Sequence, residues 1–352
     1  MLLKFEKRAE PSRFMLFATP LAAVVITMMI GAALFEILGY DGLGTVKEIF
    51  FTPVLASYKW QDVAAKAAPL ILIGLGLSLA NQAKIWNIGA EGQYVAGALA
   101  GAFVAYLTPS VTSPLIILPM VIAGILGGAA WASIPAFLKT KLNVNEVLTS
   151  LMLVYVALQL LSYLVTGPWK DPNGHNFPQT APFSDAQLLP HSIAGTFIPP
   201  GLVIALLLML VFWLVVSRSV YGFQVRVVGA APSAARYAGF SANGTVWSTM
   251  LISGGMAGLA GILEATSQLG QLNLGFPSNY GFTAIIVSFL GRLHPVGVFI
   301  AGIVLAITYV GGQVAQTTVH VPSASGGIFQ ALMLFLILAG DVLVRYRLVP
   351  KS

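Results

Sequence analysis

The stretch Phe14 to Phe35, FMLFATPLAAVVITMMIGAALF, carries no charged residue and follows the basic cluster Lys4, Lys7, Arg8 and Arg13. That order resembles an export signal, in which a basic region precedes an apolar one. The apolar region of such a signal is about 7–15 residues long, and this run exceeds it. At about 1.5 Å per residue it reaches across roughly 30 Å of hydrocarbon. It reads as a retained first membrane span, and the remainder of the chain is read outward from it.

The composition offers no soluble alternative. The 352 residues are 57% hydrophobic and 9% charged, where a soluble domain has about 25% charged residues to build its shell. Mean hydropathy is +0.86. Cysteine is absent, which excludes disulfides and thiolate metal sites. The net charge of +6 comes from short basic clusters between apolar runs, a pattern of topology control and not of a nucleic-acid surface.

Apolar runs separated by charged or Pro/Gly-rich breaks predict ten spans. They fall near 14–35, 63–80, 86–107, 115–138, 147–166, 200–217, 245–268, 279–290, 295–317 and 327–344. With the N-terminus inside, the inside segments hold Lys4, Lys7, Arg8, Arg13, Lys84, Lys139, Lys141, Arg218, Arg226, Arg236, Arg292, Arg345, Arg347 and Lys351. Only Lys47, Lys59, Lys66 and Lys170 fall outside, so 14 of the 18 basic residues are inside. An even number of spans with both termini cytoplasmic follows. The expected fold is all-α: one polytopic transmembrane domain, 1–352, with an external loop at 167–200 and a cytoplasmic loop at 218–243. In the latter, Tyr221–Val228 and Pro232–Ala238 each suit a short helix, Pro232 fitting a first turn. Such pieces either lie at the membrane interface or dock a soluble partner.

The 36 glycines cluster with alanine at GALAGA (97–102), GILGGAA (124–130) and GGMAGLAG (254–261), as close helix packing in lipid requires. An internal echo is also present. Asn87-Ile88-Gly89 precedes Tyr94, and Asn273-Leu274-Gly275 precedes Tyr280 at the same spacing. Each copy opens a span, the third and the eighth, the first expected near the cytoplasmic face and the second near the outside. An inverted repeat of spans 2–5 and 7–10 would produce this, and a pair of interrupted segments is the pointer to a translocation path. The candidate path residues are Trp86, Asn87, Glu91, Gln93, Asn279, Tyr280, Thr283 and Ser288. Together they could offer hydrogen bonds and a stacking surface to a polar, ring-containing solute, or simply bond helix to helix.

No nucleotide-binding loop, zinc-protease motif, nucleophile elbow or dinucleotide fingerprint occurs. His175, His191, His294 and His320 have no metal-ligand spacing. Glu91 and Glu264 are the costly residues, because carboxylates at membrane depth require partners or a water-filled cavity. Two isolated glutamates make a poor proton relay. No catalytic or metal site is expected, and the chain has no loop with which to cradle ATP itself.

NQAKIWNIGAEGQYVAGALAGA at 81–102 resembles a hallmark of the permease subunits of ABC importers of the branched-chain amino acid, ribose and nucleoside class. SRSVYGFQVRVVGAAPSAARYAGF at 217–240 is similar to the cytoplasmic coupling segment of that family, and GGMAGLAGILE at 254–264 to the helix that follows. YGFTAIIVSFLGRLHPVGVFIAG at 280–302 is similar to its late membrane motif. The form W-N-I-G-A-E-G-Q at 86–93, Trp86 standing for the more common Phe, and the extended loop GPWKDPNGHNFPQTAP resemble the nucleoside branch. The resemblance implies a multi-pass permease of the bacterial inner membrane that imports nucleosides by alternating access. A ribose- or galactose-type sugar is the alternative solute, and an ion-coupled secondary transporter a more distant one. Implied partners are a second, homologous permease in a heterodimer, a cytoplasmic ABC ATPase that binds ATP and Mg, and an external solute-binding lipoprotein. No cofactor on this chain and no nucleic acid polymer is implied. Arg218, Tyr221, Arg226, Gly229, Pro232, Ala235, Arg236 and Tyr237 would carry coupling to the ATPase.

Overall fold

The computed structural model describes residues 3–7, 13–193, 196, 198–322 and 324–350. Arg8 and Lys351, counted above among the inside charges, lie outside the described residues, as do Ala194, Gly195 and Phe197 of the external loop. A helix stands at each of the ten predicted spans. In chain order the helices begin with α1 (Arg13–Ile37), the short α2 (Gly42–Val46) and α3 (Thr52–Leu55), and α4 (Trp60–Gln82). Next come α5 (Ala90–Leu107), α6 (Ile117–Leu142), α7 (Glu146–Thr166) and α8 (Pro200–Arg218). The short α9 (Val220–Ala230) and α10 (Pro232–Tyr237) precede α11 (Ala242–Glu264), which a π-helical turn extends to Leu269. α12 (Tyr280–Leu290), α13 (Pro295–Thr318) and α14 (Ser325–Arg345) complete the set.

Among the described residues, seven helices are long and apolar enough to cross a membrane, and α12 and part of α14 are shorter apolar helices. The chain is therefore an all-α polytopic membrane protein. One feature of the ends was not legible beforehand. Strand β1 (Leu3–Lys7) pairs antiparallel with β2 (Tyr346–Pro350), from Leu3 opposite Pro350 to Lys7 opposite Tyr346. Residues 3–7 and 346–350 thus lie side by side.

Two compact units are distinguished: Met1–Val63 with Val304–Ser352, and Ala64–Ile303. In the first, α1 and α14 pack around an aromatic cluster. Phe35 stacks on Phe329 with ring centroids 5.7 Å apart, and Phe50 meets Phe329 edge-on at 5.4 Å. Exposed Leu43, Phe51, Leu55, Tyr58 and Trp60 mark the segment between α1 and α4 as interfacial.

In the second unit α6, α7 and α8 are rim helices, each with 22% of its apolar window buried, against 78% for α11. The turn between α6 and α7 shows how local sequence sets the ends. Asn143 takes a left-handed conformation that stops α6, and the Asn145 side chain accepts the Val147 amide to start α7. Lys139 pairs with Glu146 across the turn at 2.6 Å. Deeper in, α5, α6 and α11 pack through their glycine clusters. A Cβ added at Gly258 would lie 2.2 Å from the Gly124 carbonyl oxygen and 3.0 Å from Gly128 Cα. Backbone meets backbone there, which in lipid replaces the hydrophobic effect as the source of helix association.

Gly258→Val should accordingly lower unfolding stability by about 1–3 kcal/mol or more, because backbone cannot yield as a flexible side chain does. Gly327→Ala, with nothing within 4 Å of the added carbon, should be neutral. Thermal melts of the detergent-purified variants check the contrast.

Candidate functional site

The two polar span openings come together within the Ala64–Ile303 unit. After α4 ends, Lys84 adopts φ +60 and the chain turns back, so that Asn87 donates from Nδ2 to Ser253 Oγ at 3.0 Å. Ser253 lies near the midpoint of the continuous helix 242–269. α5 thus starts about halfway along α11 and runs toward the loop 167–200, where Gln187 donates to the carbonyls of Ala105 and Thr108. α12 starts beside α5 and runs the other way. Its Ser288 Oγ accepts from Asn81 at 3.3 Å, and Gln82 Nε2 donates to the Leu293 carbonyl at 2.8 Å. With 11 residues α12 is only roughly 16 Å long, half a span. Tyr94 and Tyr280 of the two echo copies are therefore close, while Asn273 of the second copy bridges to Gln179 of the loop 167–200. The connections 83–89 and 270–279 each re-enter the bundle.

Glu91 joins the two helices. Its carboxylate accepts the Asn279 amide at 3.0 Å through Oε1 and the Gly281 amide at 2.6 Å through Oε2. These are orphan donors at the start of α12, and Glu91 itself occupies the first turn of α5. One negative group thus sits at two positive helix ends. Sequence makes this possible at two positions. Asn279 enters α12 at φ +58, which asparagine tolerates. A Cβ at Gly281 would lie 2.2 Å from the Glu91 nitrogen, so only glycine permits the approach.

Around this contact the polar groups are mutually satisfied. Asn87 and Gln93 exchange two amide hydrogen bonds of 2.8 and 2.9 Å. Tyr280 donates to Glu264 Oε1 at 3.4 Å, and Lys66 pairs with the same oxygen at 3.1 Å while lying 5.5 Å from the Tyr280 ring centroid. Tyr94 stacks on Phe276 at 4.9 Å and meets Tyr280 edge-on at 6.0 Å. The two echo tyrosines therefore touch, although Tyr94 lies one turn inside α5 and Tyr280 opens α12. Of the eight candidate path residues, Asn87, Glu91, Gln93, Tyr280, Thr283 and Ser288 are buried in this closed core. Trp86 is 44% exposed and stacks on Phe289 at 5.6 Å, and Asn279 is exposed.

The loop at 218–243 forms the two short helices its sequence predicts. Ser219 caps α9 by accepting the Gly222 amide at 3.1 Å. Tyr221 donates to Ser248 at 2.9 Å and Gln224 to Thr245 at 3.2 Å, fastening α9 to α11. Burial beside Ser248 pushes the Tyr221 phenol above its ordinary range. Arg226 donates to the Val216 carbonyl near the end of α8. At the far end of α9, a Cβ on Gly229 would lie 2.0 Å from the Gln82 carbonyl oxygen. Only Ala235 of α10 is buried; Pro232, Arg236 and Tyr237 are exposed, Tyr237 by 95%, as is Arg218 at the end of α8.

Residues 60–338 match the family model described as branched-chain amino acid transport system, permease component. The chain belongs to this family of ABC permeases. It is 36% identical to the glucose ABC transporter permease TsgB13 of Haloferax volcanii, over 98% of this chain and 93% of that protein. It is 28% identical to the guanosine ABC transporter permease NupP of Bacillus subtilis, covering 93% and 94%. With the nucleoside ABC transporter permease NupB of Lactococcus lactis the identity is 26%, covering 90% and 89%. A permease of this family works with an ATPase and a substrate-binding partner.

Two features of the permease escaped sequence reasoning. Lys66 was counted with the outside charges, yet it stands in the second turn of α4 and pairs with Glu264. Its only signal was a cation embedded in VAAKAAPLIL. The loop 167–200 is also more than a tether. Thr180 and Phe183 donate backbone hydrogen bonds to Leu272 and Gly270, and Leu189 to Thr266. The loop is thereby sewn to the segment that descends into α12. Among the described residues no group of three or more His, Cys, Asp or Glu could hold a metal ion.

Glu91→Ala should destabilise the permease by about 1–3 kcal/mol, since two buried amides lose their acceptor. Glu91→Gln, retaining one oxygen acceptor, should recover part of that loss. Melting temperatures in detergent rank the three proteins, and equal values for Ala and wild type would contradict the junction.

Proposed function

We propose that this permease is the membrane subunit of an ATP-driven nucleoside importer in a bacterial inner membrane, paired with a second, homologous permease. The observation that carries the reading is a continuous route of contacts through one compact unit. Exposed α10 follows α9, Gly229 of α9 rests on the end of α4, and the next seven residues lead through Asn87 to the Glu91 junction. A partner ATPase seated on α10 would move α9, and α9 would shift the end of α4 and the start of α5. The half-helix junction is the element with two arrangements that alternating access needs. The ATPase partner supplies the ATP and Mg chemistry, while this chain's residues convey its closure. Arg218, Arg226, Arg236 and Tyr237 present the outward surface of the coupling element, and Tyr221, Gly229 and Ala235 seat it.

NupB and a second nucleoside ABC transporter permease of Lactococcus lactis, NupC, both resemble this chain, which supports a pair of unlike permeases. The guanosine and nucleoside permeases among its relatives support the solute. A second reading, glucose or another sugar, is favoured by the 36% identity to TsgB13. Screening nucleosides and sugars against the lipoprotein that co-purifies with the complex separates the two. Ion-coupled transport through Glu91 and Glu264 has less support, because backbone amides engage the first and Lys66 with Tyr280 the second.

Scrambling Ala230–Tyr237 should abolish co-purification of the ATPase and all uptake. Gly229→Leu should keep the ATPase bound yet reduce ATP-dependent uptake by about tenfold or more, since the added side chain forces α9 off α4. Retained uptake in both variants, measured in proteoliposomes, would remove this loop from the coupling role. Uptake that proceeds without the ATPase and collapses with a protonophore would overturn the importer reading.

A further inference from the structure

The outward faces of the three rim helices differ in chemistry. α6 exposes Leu118, Ile122, Leu126, Ile134 and Phe137 along its spanning length, and α8 exposes Leu206, Leu207, Leu210, Val211 and Leu214. Both faces suit lipid. α7 exposes Leu148 and Met152 in one half, then Tyr155 (60%), Gln159 and Tyr163 (66%) in the other. These last three stand at i, i+4 and i+8 and form one stripe. With exposed Val156 and Leu160 they form a shallow outward-facing surface.

Gln159 lies roughly 10 Å from the outer end of α7 and roughly 20 Å from the other, within the hydrocarbon if this face met lipid. An amide there would have two donors and an acceptor with nothing to bond, a cost that lipid-facing sequence avoids. The cost disappears if the face borders water and protein. We infer that Tyr155, Gln159 and Tyr163 line the solute path, in an aqueous cleft that the second permease subunit closes from the opposite side. An amide between two aromatic rings, each one helical turn away, matches a polar ring-containing solute. The rings offer flat faces for stacking and the amide offers hydrogen bonds to ring hydroxyl or nitrogen groups. The inference rests on the permease reading and moves solute contact from the buried junction to the α7 surface.

The absence of cysteine makes the test direct. In the assembled transporter, Gln159→Cys gives this polypeptide its single thiol, and Leu210→Cys on α8 is the lipid-facing control. A charged methanethiosulfonate should modify Gln159→Cys roughly tenfold faster than the control, as thiolate formation requires water. Saturating guanosine or glucose, whichever the wild type takes up, should slow that modification severalfold. In parallel, Gln159→Leu should raise the KM for uptake about tenfold, the loss of one buried hydrogen-bond set, with the partner subunits still co-purifying. Equal labelling of the two cysteine variants, labelling that the solute does not slow, or an unchanged KM would each overturn the inference. Failure of the permease reading would look different: the wild-type complex itself would show no ATP-dependent uptake.

Discussion

A single carboxylate at the meeting of two helix starts organises the centre of this permease. Membrane interiors penalise both an unpaired charge and an unpaired backbone amide. Glu91 answers both demands at once, because the amides of Asn279 and Gly281 need an acceptor and the carboxylate needs donors. It fastens the starts of α5 and α12 to one another inside the bundle. The re-entrant connections, the Asn87–Gln93 amide pair and the Tyr94–Tyr280 contact are all arranged around that one exchange.

The same logic recurs above and below the junction. Toward the outside, Lys66 and Glu264 pair and hold the ring of Tyr280, so that the opening of α12 is gripped from a second side. The loop 167–200 adds backbone hydrogen bonds to the segment that leads into α12. At the other end of α12, α9 touches the end of α4 through a glycine with no room for a side chain. The proposed coupling would reach the junction through these closely packed contacts. Packed contacts of this kind switch between discrete arrangements and do not deform smoothly.

Polar residues in this chain have two distinct uses. Those inside the bundle are satisfied by one another and hold its shape. On α7, exposed Tyr155, Gln159 and Tyr163 stand beside Val156 and Leu160, while the large exposed apolar side chains of α6 and α8 are leucine, isoleucine, valine and phenylalanine. The cost of an unsatisfied amide in lipid is what gives that contrast meaning.

Much of the fold was legible in the residues alone. Each of the ten helices rises from an apolar run, because hydrocarbon thickness sets a length and excludes charge. The two short coupling helices were likewise readable from Pro232 and from the polar breaks around them. The glycine clusters announced close packing, though not which helices would share it. The contact between the two echo tyrosines was not readable, and neither was the partner of Glu91. Glu91 and Gly281 are 190 residues apart, and nothing local to either shows that α5 and α12 begin side by side. Lys66 passed for an outside charge for the same reason, its partner standing 198 residues away. Hydropathy and charge bias act along the chain and are written in it. Which polar groups satisfy one another inside lipid is decided only when the helices pack, since each needs a partner that another segment supplies.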